Sequence, residues 1–456
     1  MHNQHLPQQI RQKLNLWTSR AVTIFVSLLL LSESTAANIR ANGLQIAQQT
    51  VSTPSVPLSG EKQKRYEEGV KLYEEAQELQ KKGTKEGYQQ AIEKYKQALK
   101  IVKELGLRAD QAEILMKIGL VNIYLSEHQQ ALDLYNQALK IWQELNQPVF
   151  EASVLGMIGD AYSGIGKTQK ALEYLKRAES TFRAQKQFRF LAINLSSISR
   201  VYMRLGETKN AINYLNQILE IYRTAEKDQV KEAHTLNSLA FIHSLIGESE
   251  LAFKYYNQAL EIYRGKKDFL GEAEMFKSIG SLHGKLGKHD LALEYLNKAL
   301  QIQSTKGQLV DQAPTLNDIA SVYILRGDYE KAVKYYQKSK SIFHEAGWTT
   351  LESLSLGSIV SIYRNFLGNN QQALKYTQEV LELNRKTGEK DEEASTLNQQ
   401  GDIYENSTKK MIQWLCWFSK NFHKPFSEIG KTINLFFDFR HRFVCQLNPS
   451  RIDFFN

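Results

Sequence analysis

An alanine recurs along this chain at Ala91, Ala131, Ala171, Ala211, Ala252, Ala292, Ala332 and Ala373, in steps of 40, 40, 40, 41, 40, 40 and 41 residues. So regular a period constrains the fold before any other property does. Each unit must be one supersecondary element, and an element that repeats buries its apolar face on its own next copy. The fullest copy runs from Glu151 to Ala178 and reads EASVLGMIGDAYSGIGKTQKALEYLKRA. Gly159 and Ala171 are small enough for two helices to approach, and Tyr162, Leu175 and Ala178 fall where helical spacing places a seam. Gly166 stands where the first helix ends and a left-handed backbone is needed. The copy is expected to be a hairpin of helix A followed by helix B.

The other copies depart from this pattern in readable ways. Ser199, Tyr202, Gly206 and Ala211 repeat it, as do Ala320, Tyr323, Gly327, Ala332 and Tyr336. The copy with Gly119 and Ala131 has Asn122 at the aromatic position and Tyr124 displaced, while His243 and His283 occupy that position in two others. One extra residue lies between Tyr363 and Ala373, at Asn365 or Phe366. A last copy begins with Ala394, Gly401 and Tyr404 and then stops matching. At the other end Gly69 lies 22 positions before Ala91, where the fullest copy has 12, so the first hairpin carries an insertion around Gly83 and Gly87.

The order small, aromatic, Gly, Ala, large, small resembles the tetratricopeptide repeat, a motif of about 34 residues. The longer unit here is similar to the repeats of kinesin light chains and of bacterial tetratricopeptide proteins, over roughly Glu61 to Tyr404. The resemblance implies an all-α fold, an α-α superhelix in which hairpins stack into a right-handed solenoid with a concave wall made mostly by helix A. It also implies a protein or peptide ligand in that groove and, counting Ala152 as position 1, places positions 2, 5, 9, 12 and 13 of helix A on the wall.

Position 5 carries Asn237, Asn317 and Asn398, with Lys277 and Ser196 in other copies. An amide offers both a donor and an acceptor, which is what an extended peptide backbone requires. In kinesin light chains and similar adaptors the Asn of a Leu-Asn pair holds ligand main chain, and Leu236-Asn237, Leu316-Asn317 and Leu397-Asn398 match that pair. The competing reading is a polar residue tolerated on an exposed face. Arg200 and Arg204 are four apart and share a face. With Lys277 and Lys285 they would clamp a carboxylate, unless Asp160, Glu113 and Glu274 leave only a solvated mixed surface. Phe241, Leu245, Ile324 and Leu325 would add apolar contact, or else lie buried between helices.

Of the formal net charge of +9, residues 1–36 hold three basic groups against one acidic, and residues 409–456 eight against three. The repeats are therefore nearly neutral, without the basic stripe of a nucleic-acid track, and no nucleic-acid partner is expected. Both cysteines, Cys416 and Cys445, fall in the tail. His243 and His283 have no second ligand at metal spacing beside them and are expected as seam residues. No P-loop, dinucleotide glycine motif, HExxH or GxSxG occurs. No cofactor or metal and no enzymatic activity are expected.

Residues 1–36 read as a signal peptide: Arg11, Lys13 and Arg20, then the apolar run Ala21 to Leu31, then small residues with a cleavage site near Ala36 or, as an alternative, Ala47. The run is too short to span a bilayer as a helix of about 20 residues. A short buried helix or an uncleaved membrane anchor is the alternative, and otherwise the chain is expected to be exported. Residues 37–60, with two prolines, read as a flexible linker before a repeat array over 61–408. Residues 409–456 match no repeat and set Trp414, Trp417 and many Phe among basic residues. They are open to three readings: a degenerate or out-of-frame end, an improvised cap, or a segment lying on a membrane surface. Chains with this plan also resemble the regulatory half of bacterial proteins that end in a caspase-like (CHAT) protease domain. The chain would then be a sensor remnant without its catalytic part.

Overall fold

The computed structural model describes residues 60–388, 390 and 392–405. The expected signal peptide, the linker up to residue 59 and the tail over 409–456 lie outside the described residues. All regular structure among the described residues is helical. The chain divides into two compact units at Tyr255/Tyr256.

In the first unit the hairpins are α1 (Glu61–Lys81) with α2 (Lys85–Glu104), α3 (Arg108–Tyr124) with α4 (His128–Glu144), α5 (Pro148–Gly164) with α6 (Thr168–Ala184), and α7 (Phe188–Arg204) with α8 (Thr208–Thr224). Helix α9 (Gln229–Leu245) follows, and the boundary falls inside α10 (Ser249–Lys266). The second unit continues with α11 (Phe269–Lys285) and α12 (His289–Lys306), then a short 3-10 turn at Leu309–Asp311. It goes on through α13 (Gln312–Arg326), α14 (Tyr329–Glu345), α15 (Thr349–Asn365) and α16 (Asn370–Thr387), and ends on helical residues 392–405. This is the hairpin solenoid class that the period implies.

The turn from helix A to helix B is set by one left-handed residue, a glycine except between α3 and α4, where Ser126 holds it at φ 63°. Gly166 has φ 75°, its N–H bonds the Ser163 carbonyl at 3.1 Å, and the Lys167 N–H reaches the Tyr162 carbonyl at 2.9 Å. That double bond closes the orphan carbonyls at the helix end. Gly206, Gly287 and Gly327 repeat it. The turn from B to the next A has the same geometry without the glycine at Asn146, Lys186 and Lys267, at φ 51°, 51° and 56°, while before α9 the turn is one residue longer and holds Lys227 at φ 50°.

The small positions do what their size implies. A Cβ on Gly159 would come within 2.6 Å of Leu175 Cγ and 3.1 Å of the Ala171 carbonyl. Gly280 is under the same constraint from Leu296 Cγ at 2.9 Å. In the first unit Ile158, Leu175, Leu195 and Ile198 form the buried seam; in the second Leu296, Ile319, Ile359 and Phe343 do so. The aromatic position stacks on a tyrosine of helix B in each: Tyr162 on Tyr174 at 5.5 Å, Tyr202 on Tyr214 at 5.6 Å, Tyr323 on Tyr335 at 5.4 Å. His243 and His283 take the same place, His243 on Tyr255 and His283 on Tyr295, both at 5.5 Å. His243 also lies 2.6 Å from the Glu248 carboxylate through Nδ1.

In the first hairpin the added residues lengthen both helices, to 21 and 20 residues against 17 in α5 and in α6. Gly83 makes the turn at φ 70°, and Thr84 caps α2 by accepting from the Gly87 N–H at 3.0 Å. The extra residue near Ala373 sits after α15: Phe366 is its C-cap, and the left-handed glycine is Gly368, three residues past Asn365.

Candidate functional site: the helix A wall

Of the residues expected to hold a ligand on the groove wall, Arg200, Arg204, Asn237 and Phe241 belong to the first unit and Lys277, Asn317 and Asn398 to the second. In the first, Arg200 is only partly exposed and donates through Nη2 to Asp160 Oδ1 at 2.9 Å and to Ser197 Oγ at 2.8 Å. Ser197 in turn donates to the other Asp160 oxygen at 3.1 Å. Arg204 bonds through Nη1 to the carbonyl of Ser163 and to its Oγ. Position 9 of one repeat thus meets positions 6 and 9 of the next, and the two arginines rivet α7 to α5.

Arg204 has no carboxylate of its own. Burial, and next the neighbouring Arg200 charge, pull its pKa below the ordinary arginine value, with Asp160 opposing. His128 lies against Gly164, where a Cβ would come within 2.7 Å of its ring, and burial together with the Arg204 charge holds its imidazole pKa down. Asn237 and Phe241 are half-buried on α9.

In the second unit Lys277 pairs with Glu274 at 2.6 Å, and Ser281 donates to Asp318 at 2.9 Å, again position 9 onto position 6 of the following repeat. Burial lowers the pKa of the Lys277 ammonium, but Glu274 and Asp318 outweigh it and the net shift is upward. Burial lifts the Asp318 carboxyl against the pull of Lys277, and lowers Lys285 against that of Asp318. Asn317 is half-buried and donates to Ser355 Oγ at 3.4 Å, while its Oδ1 is buried with no partner. Asn398 is exposed on the last helical segment. Leu245 and Leu325 are exposed, and Ile324 is half-buried.

Glu113 differs from its expected place on an open wall. It is buried and accepts from Tyr73 Oη at 2.7 Å, because the first hairpin lies over it. Lys117 beside it is only 3% exposed, with Nζ 5.8 Å from the centre of the Tyr73 ring. Sequence reading passed over Asp160 and Ser197 as partners of Arg200, although their separations of 40 and 3 residues follow from the period and from one helical turn.

Among the described residues no group of three His, Cys, Asp or Glu side chains gathers as a metal site, and no helix is long and apolar enough to cross a membrane.

Comparison with known proteins bears on the fold. The sequence model of the tetratricopeptide repeat matches residues 84–144, 110–184, 190–265 and 271–344, together more than half of the chain. No curated protein matches. The apo form of the quorum sensor NprR from B. thuringiensis is 15% identical over 82% of this chain and 99% of its own, with a TM-score of 0.51. A signal transduction ATPase with numerous domains and a tetratricopeptide repeat sensor, from Pyrococcus horikoshii, is 15% identical with a TM-score of 0.50, covering 74% of this chain and 55% of that one. BtubC (BKLC) from P. vanneervenii is 21% identical over 49% of this chain and 90% of its own, with a TM-score of 0.40. By its period, its hairpins and the extent of the match, the chain belongs to the tetratricopeptide repeat family.

Proposed function

We propose that the chain is a non-catalytic interaction scaffold that holds a peptide or protein segment along the helix A wall. The observation that carries this reading is the state of Arg204. One guanidinium nitrogen is fixed on Ser163, while among the described residues Nε and Nη2 donate to no group and no carboxylate forms an ion pair with it, Asp160 acting on its charge only from further off. A fixed cation with unused donors on a partly exposed wall is a receptor for a carboxylate. Arg200 and the Asn237, Asn317 and Asn398 amides would add main-chain and side-chain bonds within their own units. The seam stacking of His243 and His283 supports a packing role for both rings instead of a catalytic one.

The test is selection of random peptides displayed on phage against the immobilised full chain. Peptides carrying an acidic residue should be enriched and should lose affinity with Arg204→Gln and with rising salt. If no peptide is enriched, the reading is wrong. Changing Asn237, Asn317 and Asn398 to Ala tests the amide row separately, and unchanged binding removes it from the site.

We also infer export, from the basic, apolar, small order of residues 1–36. The protein recovered from producing cells should then begin near residue 37, and recovery with Met1 intact in the cytoplasm would reject export.

A further inference from the structure

Four large apolar side chains of the second unit stand exposed at turns from helix B to helix A: Phe269 (43%), Leu270 (49%), Leu309 (53%) and Trp348 (48%). Among the described residues the same turns of the first unit expose only Phe188 in this way. The four form one strip, because each turn touches the next. Leu270 Cδ2 lies 3.2 Å from where a Cβ on Gly307 would stand, and Lys306 Nζ lies 5.3 Å from the centre of the Phe269 ring. Val310 packs on the cluster of Ala313, Phe343 and Leu351, and Trp348 stacks on Phe343 at 6.2 Å.

Trp348 supplies a second, separate observation. It holds the N-cap of α15, where a side-chain oxygen would accept from the first free N–H groups, and it makes no cap bond. At the same position before α11, Asp268 accepts from the Gly271 N–H at 2.9 Å. An apolar strip with an indole where a cap belongs points to a surface that covers it.

Charge says which surface. Lys266 and Lys267, beside Phe269, form no ion pair among the described residues, and neighbouring Arg264 takes Glu272. In the middle, Lys306 stands against Asp311, whose carboxylate accepts from the Gln308 N–H at 2.7 Å. Beside Trp348, Glu345 meets no cation among the described residues, only Ser341 Oγ at 3.4 Å, and His344 is already held by Glu352 at 3.0 Å. The strip is thus positive at one end and negative at the other. A uniformly anionic lipid surface would suit the first end and repel the second. The strip itself, turned end for end, suits both.

We propose that this edge is the contact between two copies of the chain, related by a two-fold axis at Leu309. Phe269 and Leu270 then lie on the partner's Trp348, Leu309 lies on the partner's Leu309, and Lys266 and Lys267 face the partner's Glu345. A two-fold contact requires a patch complementary to itself, since every pairing in it occurs twice. The edge shares no residue with the helix A wall, so the inference goes beyond the scaffold reading and stands apart from it.

Sedimentation equilibrium of the full chain tests it. The mass should rise from one chain to two with concentration. Leu309→Lys sets like charges at the axis, and Lys266→Glu with Lys267→Glu, or Glu345→Lys alone, sets them at the ends. Each of these three variants should weaken association about tenfold or more. All four positions are exposed, so helix content and melting temperature should stay those of the native chain. Mixing the Lys266→Glu/Lys267→Glu variant with the Glu345→Lys variant restores opposite charges at both ends, and the mixture should recover the native affinity. A native chain that stays a monomer up to about 0.1 mM would overturn the proposal. So would a dimer indifferent to Leu309→Lys, which must use another surface, or a mixture no tighter than its components, which would rule out the reversed register. None of these outcomes touches peptide binding on the helix A wall.

Discussion

Asp160 and Arg200, 40 residues apart in sequence, meet at 2.9 Å and tie two successive helix A segments of the first unit together. Both side chains stay about a third exposed, at 38% and 31%. Pairs of this kind contribute about 0–1 kcal/mol to stability. Asp160→Asn should therefore shift the urea midpoint only slightly while leaving the Arg200 guanidinium free to receive a ligand carboxylate. Affinity for an acidic peptide is expected to rise. A fall would mean that Asp160 itself touches the ligand.

Gly159 and Gly357 both lie on helix A but should respond in opposite directions to the same substitution. A Cβ on Gly159 meets Leu175 at 2.6 Å and the Ala171 backbone at 3.1 Å, so alanine forces the hairpin open. Overpacking of this sort costs about 1–3 kcal/mol. At Gly357 nothing lies within 4 Å, and alanine should stabilise α15 by about 0.5–1 kcal/mol. Denaturant melts of the two single variants give the comparison. Equal effects would mean that the close approach at Gly159 is relieved by movement of α6.

That contrast shows what a sequence can reveal in a repeat and what it hides. Gly159 and Gly166 recur at fixed offsets because close approach and left-handed turns impose themselves on every copy, so the hairpins, the seam and the extra residue near Phe366 are legible. Partnerships are harder. The Arg200 bond to Asp160 needs the register between copies, and the His243 contact with Glu248 needs the turn at Gly247 to fold back before the two meet. Glu113 misled because its repeat position is an open wall elsewhere, whereas here the longer first hairpin covers it.

The turns from helix B to helix A hold left-handed residues that are not glycine: Lys186 at φ 51° and Lys227 at φ 50°. Residues with a Cβ cost about 1–2 kcal/mol in that conformation, partly offset by the greater freedom glycine has when unfolded. Lys186→Gly and Lys227→Gly should each stabilise the chain, by roughly 0.5–1 kcal/mol. Gly106 and Gly347, at φ 73° and 72° in turns equivalent to that of Lys186, show that the geometry accepts glycine. Melts of the two variants decide it, and destabilisation by either would show that the lysine side chain makes up for its backbone.

Lys117 holds an amine in the core where the next repeat has Met157. Burial pulls its pKa from 10.5 to about 8, with Glu113 opposing the shift. The unfolded chain binds that proton more readily than the folded one between these two values. Stability should consequently rise as pH goes up from about 8, and below that the full penalty applies, about 3 kcal/mol for a shift of this size. Burial raises the Tyr73 and Tyr95 phenols above their ordinary 10.0, which turns stability downward again at higher pH. Tyrosine ionisation therefore stays out of the range from pH 8 to pH 10, where Lys285, also lowered by burial, adds to the rise. Changing Lys117→Met together with Glu113→Gln removes both charges and leaves Tyr73 an oxygen to donate to. Replacing opposite buried charges by neutral groups of similar volume, as for a buried ion pair, is often neutral or stabilising by about 1–4 kcal/mol. The double variant should be at least as stable as the native chain at pH 7 and lose the Lys117 share of the rise above pH 8, keeping that of Lys285. Urea melts across that range measure both, and a rise undiminished in the variant would mean that Lys117 does not release the proton.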